Sequence, residues 1–263
     1  TASDEWRKAV QRARDGEDTG AGPEVVEAWY EDDEAPEVDE GGSAPYREPD
    51  RPVDVDLSPE DRKRLTRESG RKAKDHEQRI KDAAKAFRAE RFEDARRILG
   101  NLAEVAPSVP AVRELHGLTL YRLRRWKLAA AELEAFAELT HSTEQHPVLA
   151  DAYRALKRHA RVAELWDELR EASPSAELVT EGRIVMAGSL ADQGELVKAI
   201  NLLGDKGWKL PRQPREHHLR RAYALADLYE RAGEIARARD LFGRIQRADA
   251  RFGDVGRRLK ALR

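Results

Sequence analysis

The chain has 263 residues, no cysteine, 40% apolar and 37% charged residues, and a formal net charge of −2. The missing cysteines exclude disulfides, thiolate chemistry and cysteine-ligated zinc, and no apolar run approaches the roughly 18 residues that span a bilayer. The near-neutral total hides a division: residues 1–60 hold 19 acidic and 6 basic residues, residues 61–263 hold 31 and 42, so an acidic arm is joined to a basic body. No signal-peptide pattern opens the chain, and a cytoplasmic location is the expectation. Arginine outnumbers lysine by 36 to 12, which looks like the coding bias of a high-GC bacterium, so arginine richness is not by itself a binding signal.

Residues 1–57 read as an acidic, largely irregular arm. Glu5 to Arg14 can form one short helix with Trp6 and Val10 on one face. From Gly16 to Leu57 the chain is rich in Gly, Pro, Asp and Glu and lacks the apolar surface to offset its ordering entropy. One island, Val25, Val26, Trp29 and Tyr30 followed by Glu31, Asp32, Asp33 and Glu34, has the composition of a linear docking motif. Ordered structure is predicted to begin at Ser58-Pro59-Glu60-Asp61: a serine N-cap, proline at the first helical position and two acids in the first turn. A highly charged helix over 58–79 follows, interrupted at most by Gly70. Its first half has few apolar residues, Leu65 among them, and is expected to be solvated or to lie on a partner.

From about Ile80 the pattern changes to paired amphipathic helices over 80–250. Phe92-Glu93-Asp94-Ala95 is followed 34 residues later by Trp126-Lys127-Leu128-Ala129. Related hairpin patterns recur at Gly194 to Ala199 and Gly233 to Ala238, and a further copy, one residue shorter, runs through Tyr153, Val162, Trp166 and Pro174. Small residues recur in the first helices at Ala83, Gly117, Ala150, Ala187 and Ala226, and in the second at Ala95, Ala129, Ala199 and Ala238, with Val162 the exception. On these residues the chain resembles tetratricopeptide-repeat proteins. The resemblance implies an all-α, right-handed superhelical solenoid of about five helical hairpins, in which stacking buries a core that one hairpin cannot bury alone. Between the fourth and fifth copies the spacing grows to 39, and the residues from Gly204 to Glu216 are expected to form a surface excursion. The first three copies lack the turn glycine. Phe252, Val255, Leu259 and Leu262 give a C-terminal capping helix over 251–263.

Catalytic chemistry finds no positive signal. His141 and His146 bracket a loop, and the adjacent His217 and His218 point about 100° apart on a helix and chelate poorly. The helical HExxH zinc pattern, the glycine-rich phosphate loop and the Gly-x-Ser-x-Gly elbow are missing, while Gly182 and Gly188 lie inside a helical pattern. No metal, cofactor or enzymatic activity is expected.

In the resembled family the first helix of each hairpin lines the concave surface. Carried over by position, that implies a groove of Phe87, Arg88, Tyr121, Arg122, Arg154, Arg158, Tyr223 and Arg231, interrupted by Glu114, Asp151, Asp192, Asp227 and Glu230. Arginine with tyrosine suits an acidic peptide, because guanidinium binds carboxylate bidentately and rings add contact area. The expected function is a protein-interaction scaffold for an acidic or aromatic-acidic segment, with the chain's own arm able to occupy the groove. The alternative partner is RNA, through Arg64, Arg67, Arg71, Lys72 and Lys74 of the charged helix, although no aromatic residues interleave there for base stacking. Oligomeric state is left open.

Overall fold

A computed structural model describes residues 57–262. The expectations for Trp6, Val10 and the motif Val25 to Glu34 lie outside the described residues. Within them the chain forms twelve α-helices: α1 (Pro59–Ser69), α2 (Ala73–Arg88), α3 (Phe92–Val105), α4 (Pro110–Arg122), α5 (Trp126–Thr140), α6 (His146–Ala155), α7 (His159–Ala172), α8 (Ala176–Asp192), α9 (Leu196–Leu203), α10 (Glu216–Arg231), α11 (Ile235–Ala248) and α12 (Val255–Ala261). No strand occurs among the described residues.

The helices α2 to α11 form five consecutive hairpins. Small residues mark the crossings as expected. In the second helices Ala95, Ala129, Val162, Ala199 and Ala238 are all wholly buried, at 0% exposure. Gly117 packs so closely on α5 that a Cβ there would sit 2.7 Å from the Leu133 side chain. Each second helix packs on its own partner and on the next first helix, and successive first helices also touch one another. Direct contact among first helices places them on the inner side of the stack's curvature.

All five hairpins share one turn. The residue at its centre has positive φ in every copy: Glu90, Arg124, Lys157, Gly194 and Gly233, at 56°, 60°, 57°, 80° and 75°. The closing hydrogen bonds repeat as well, from Arg91 N to Ala86 O, Arg125 N to Leu120 O, Arg158 N to Tyr153 O, Glu195 N to Leu190 O and Glu234 N to Tyr229 O. The first three copies therefore keep the left-handed cap geometry without its usual glycine.

The charged N-terminal segment differs from the sequence expectation of one long helix. Ser58 caps α1, its Oγ accepting from Asp61 N at 3.0 Å. At Gly70 the chain takes φ 55° and ψ −124°, a conformation that a side chain disfavours, and a short 3-10 turn leads into α2. The two helices then lie side by side: Arg62 Nε reaches Glu77 Oε1 at 3.3 Å, where 15 residues of straight helix would separate them by about 22 Å. Folding back brings Leu57 and Leu65, 3% and 1% exposed, onto Ile80, Leu102, Val109 and Val112. The first half is thus not solvated. Its few apolar residues close the N-terminal end of the core, each such burial contributing about 1.5–3 kcal/mol.

Val255 of α12 is buried, and Phe252, Leu259 and Leu262 pack beside it, closing the other end. The segment after α9 is anchored rather than a free excursion: Leu210 is buried and Trp208 half-buried against the last hairpins.

Candidate functional site

The inner side is built from α2, α4, α6, α8 and α10. Two of these helices are buried almost all round. Residues from Leu115 to Tyr121 in α4 and from His146 to Tyr153 in α6 are buried without a break, so neither shows the one-sided pattern of a surface helix. The inner face of the middle repeats is therefore filled by the protein's own side chains.

Polar bonds cross the repeat boundaries there. Tyr121 donates its hydroxyl to Asp151 Oδ2 at 2.7 Å, and Arg154 Nη1 donates to Asp151 Oδ1 at 3.3 Å. Arg154 continues to Asp192 through Nε at 2.5 Å and Nη2 at 3.3 Å. The guanidinium lies over Gly188, where a Cβ would come within 2.7 Å of Nη1. One chain of bonds thus links the second, third and fourth repeats. Burial raises the Asp151 carboxyl above its ordinary value, against the pull of Arg154 and of the Tyr121 hydroxyl.

Further along, Arg220 of α10 holds the buried Glu181 of α8, Nε to Oε1 at 2.7 Å and Nη2 to Oε2 at 2.9 Å. Arg258 of α12 spans Asp227 and Glu230 at 2.7 Å each, and Tyr223 donates to Asp254 at 2.5 Å. The Tyr223 hydroxyl is pushed up to about 12 by burial and by the Asp254 carboxylate.

The sequence-predicted groove residues divide accordingly. Phe87 and Tyr121 are buried, at 8% and 5% exposure, Arg154 and Tyr223 are bonded across boundaries, and Arg231 donates to the Ala191 carbonyl at 3.4 Å. Arg88 and Arg122 are exposed at the ends of the first helices of the first two repeats, and Arg158 is exposed in the turn between α6 and α7. Arg122 stacks on Phe92 at 4.5 Å, with Glu90 3.8 Å away. The acidic positions that interrupt the predicted groove turn out to be the acceptors of the boundary bonds. The Glu181–Arg220 pair was not anticipated; its signal is that both residues fall six positions before the small residue of their helix, at Ala187 and Ala226.

The basic residues near Gly70 also divide. Arg62 and Lys81 pair with Glu77, Arg64 donates to the Ser108 carbonyl and Arg79 to Asn101. Lys63, Arg67, Arg71, Lys72 and Lys74 are exposed around the corner between α1 and α2.

His146 and His218 serve packing and helix capping. His146 is buried with Nε2 2.9 Å from Glu168, and burial lowers its pKa against the raising effect of that carboxylate. His218 closes a hydrogen bond to the Arg215 backbone. No cluster of three or more metal-ligating side chains occurs among the described residues, and none of their helices is long and apolar enough to cross a membrane.

No protein-family model matches the chain, and no curated protein matches it. Among solved structures it is similar to TTC0263, a thermophilic TPR protein in Thermus thermophilus, at 16% identity and a TM-score of 0.53, over 71% of this chain and 98% of that one. The TPR domain of P58(IPK) is also found, at 14% identity and a TM-score of 0.30, over 73% of this chain and 65% of that one. With five hairpins, buried small residues at the crossings and the likeness to TTC0263, the fold is that of a tetratricopeptide-repeat solenoid.

Proposed function

We propose that the protein is a non-catalytic scaffold that holds a partner protein through an acidic or aromatic-acidic segment. The observation that carries this reading is the division of the inner-side arginines. Arg154 and Arg220 lie mostly buried against carboxylates of the stack, whereas Arg88 and Arg122 are exposed at the last position of two successive first helices and Arg158 is exposed in the turn after the third. Exposed guanidiniums presented by three successive hairpins fit a chain of carboxylates better than a compact ligand. The island Trp29-Tyr30-Glu31-Asp32-Asp33 has the composition such a row would take, so the arm can compete with a partner in cis. The test is recovery of partners from native lysate, after nuclease, by the full chain and by its Arg88→Glu, Arg122→Glu, Arg158→Glu variant. A protein held by the first and lost by the second supports the reading; equal recovery contradicts it.

A second reading is favoured by a specific observation. Lys63, Arg67, Arg71, Lys72 and Lys74 are exposed at one corner with no ion pair to any described residue. Such a corner suits phosphate contacts without base stacking. Charge reversal at Arg71, Lys72 and Lys74 would then abolish binding of single-stranded RNA and leave a protein partner bound.

A further inference from the structure

The basic charge of the body is uneven along the chain. Residues 205–263 hold 16 basic and 8 acidic residues, where residues 89–204 hold 15 and 18. A coding bias toward arginine would spread evenly, so the excess belongs to the last hairpin, its cap and the segment before it. That segment is pinned to α11. Arg244 donates from Nη2 to the Leu210 carbonyl at 3.4 Å and Leu210 itself is buried, so the exposed Lys209 and Arg212 flank the contact with α11.

Exposed arginines elsewhere on second helices have a carboxylate three residues away, as Arg97 has Asp94, Arg170 has Asp167 and Arg237 has Glu234. Arg247 instead has Arg244 three residues before it and Arg251 four after it, like charges at neighbouring positions, which repel. Its guanidinium lies back over Gly243, where a Cβ would sit 3.6 Å from Nη1. Lys209, Arg212, Arg247 and Arg251 are exposed with no carboxylate partner among the described residues. Asp205 is taken up with Arg183, and Asp249 accepts from the Arg251 backbone. Asp240, four residues before Arg244, does not pair with it. A cluster of like charges that the fold leaves without partners costs stability, and a polyanion laid across it offsets that cost.

We propose that Lys209, Arg212, Arg244, Arg247 and Arg251 form a phosphate-binding strip for double-stranded nucleic acid on the outer side of the last hairpin. Charge alone holds the partner there. Ile235, the nearest in sequence of the exposed large apolar side chains, is nine residues ahead of Arg244, about 13 Å along the helix. The strip therefore lacks the apolar core of a protein interface and the apolar anchors of a membrane-bound face. Nor does it offer a ring to an unpaired base, since Trp208 is half-buried with Arg221 stacked on it at 4.5 Å. A duplex keeps its bases inside and presents one charge per about 1.7 Å of its axis, and guanidinium forks meet phosphates bidentately. The inference goes beyond both readings above: none of these residues belongs to the set Arg88, Arg122 and Arg158 or to the corner at Gly70.

The test titrates the full chain into a fluorescein-labelled DNA duplex of about 20 base pairs, and into the RNA duplex of the same sequence, between about 50 and about 200 mM salt. Lys209→Gln with Arg212→Gln and Arg247→Gln should weaken binding at least about ten-fold at the lower salt, at an unchanged melting temperature, and flatten the slope of log affinity on log salt by about 2.5. Arg97→Gln with Arg170→Gln and Lys198→Gln removes the same charge from exposed cations that have carboxylate partners, and should change affinity by about two-fold or less. A loss confined to the first triple, on either duplex, supports the strip. Equal losses from the two triples, or no duplex binding at the lower salt, overturn it. Displacement of the duplex by polyglutamate of equal charge as readily as by unlabelled duplex also overturns it, by assigning the strip to an acidic protein. Partner recovery through Arg88, Arg122 and Arg158 and single-stranded RNA at the Gly70 corner are read separately, so neither reading falls with it.

Discussion

The Arg154 guanidinium closes on the Asp192 carboxylate across the boundary between the third and fourth repeats, with Nε 2.5 Å from Oδ2, while its Nη1 holds Asp151 on the other side. Removing Arg154 leaves the buried Asp151 with one hydroxyl donor. Arg154→Ala is expected to cost about 3 kcal/mol in urea unfolding. Gly188→Ala pushes a methyl into the same guanidinium and is expected to cost about 1–3 kcal/mol. Because both changes act on one contact, the double variant should be less destabilised than the sum of the two.

The hairpin turns give a prediction of opposite sign. Glu90, Arg124 and Lys157 hold φ values between 56° and 60°, where a side chain crowds the following carbonyl. Lys157→Gly, Arg124→Gly and Glu90→Gly should each stabilise the fold by about 0.5–1 kcal/mol, read as a higher denaturation midpoint. Gly194→Ala and Gly233→Ala, at φ 80° and 75°, should each destabilise by about 1 kcal/mol.

Within the second hairpin, Glu132 accepts from Arg113 Nη1 at 2.8 Å and lies 3.3 Å from His116 Nδ1. Burial alone would raise its pKa, but the bonds and charges of His116 and Arg113 outweigh it and lower the carboxyl below 4.5. A carboxyl depressed in the folded state contributes stability that is present above its unfolded value and lost as pH falls through the folded one. Glu132→Gln should therefore flatten the decline of melting temperature between about pH 5 and about pH 3, besides destabilising the fold at neutral pH by leaving Arg113 buried without its carboxylate.

The N-terminal cap is testable through Leu65, which α1 buries on Leu102, Val109 and their neighbours. Leu65→Ala should cost about 2–5 kcal/mol, read by urea unfolding. A solvated helix would show a change within about 0.5 kcal/mol.

The hairpin register was legible before the structure because small residues are forced wherever two helix backbones cross closely. Ala83, Ala187 and Ala226 are buried to 0%, 1% and 0% for that reason. The reversal at Gly70 was hidden, since a glycine in a charged run of good helix formers fits a straight helix equally well, and the apolar partners that hold Leu65 are up to 47 residues away at Val112. The inner face was half legible. Asp151 and Asp227 follow the small residues Ala150 and Ala226 in register, yet whether they interrupt a groove or bridge repeats depends on how closely first helices approach, which periodicity does not encode. Tyr121 and Arg154 were assigned to a partner's surface on type and position alone; their hydrogen bonds place them inside the stack.

Thermal unfolding of the full chain carrying Arg154→Ala beside that carrying Arg122→Ala tests most directly the separation of boundary arginines from surface ones. At about 2–4 °C per kcal/mol for a body of this size, Arg154→Ala should lower the melting temperature by roughly 6–12 °C. Arg122→Ala should change it by no more than about 2 °C. Equal shifts in the two variants, or a shift in Arg122→Ala alone, would contradict the account.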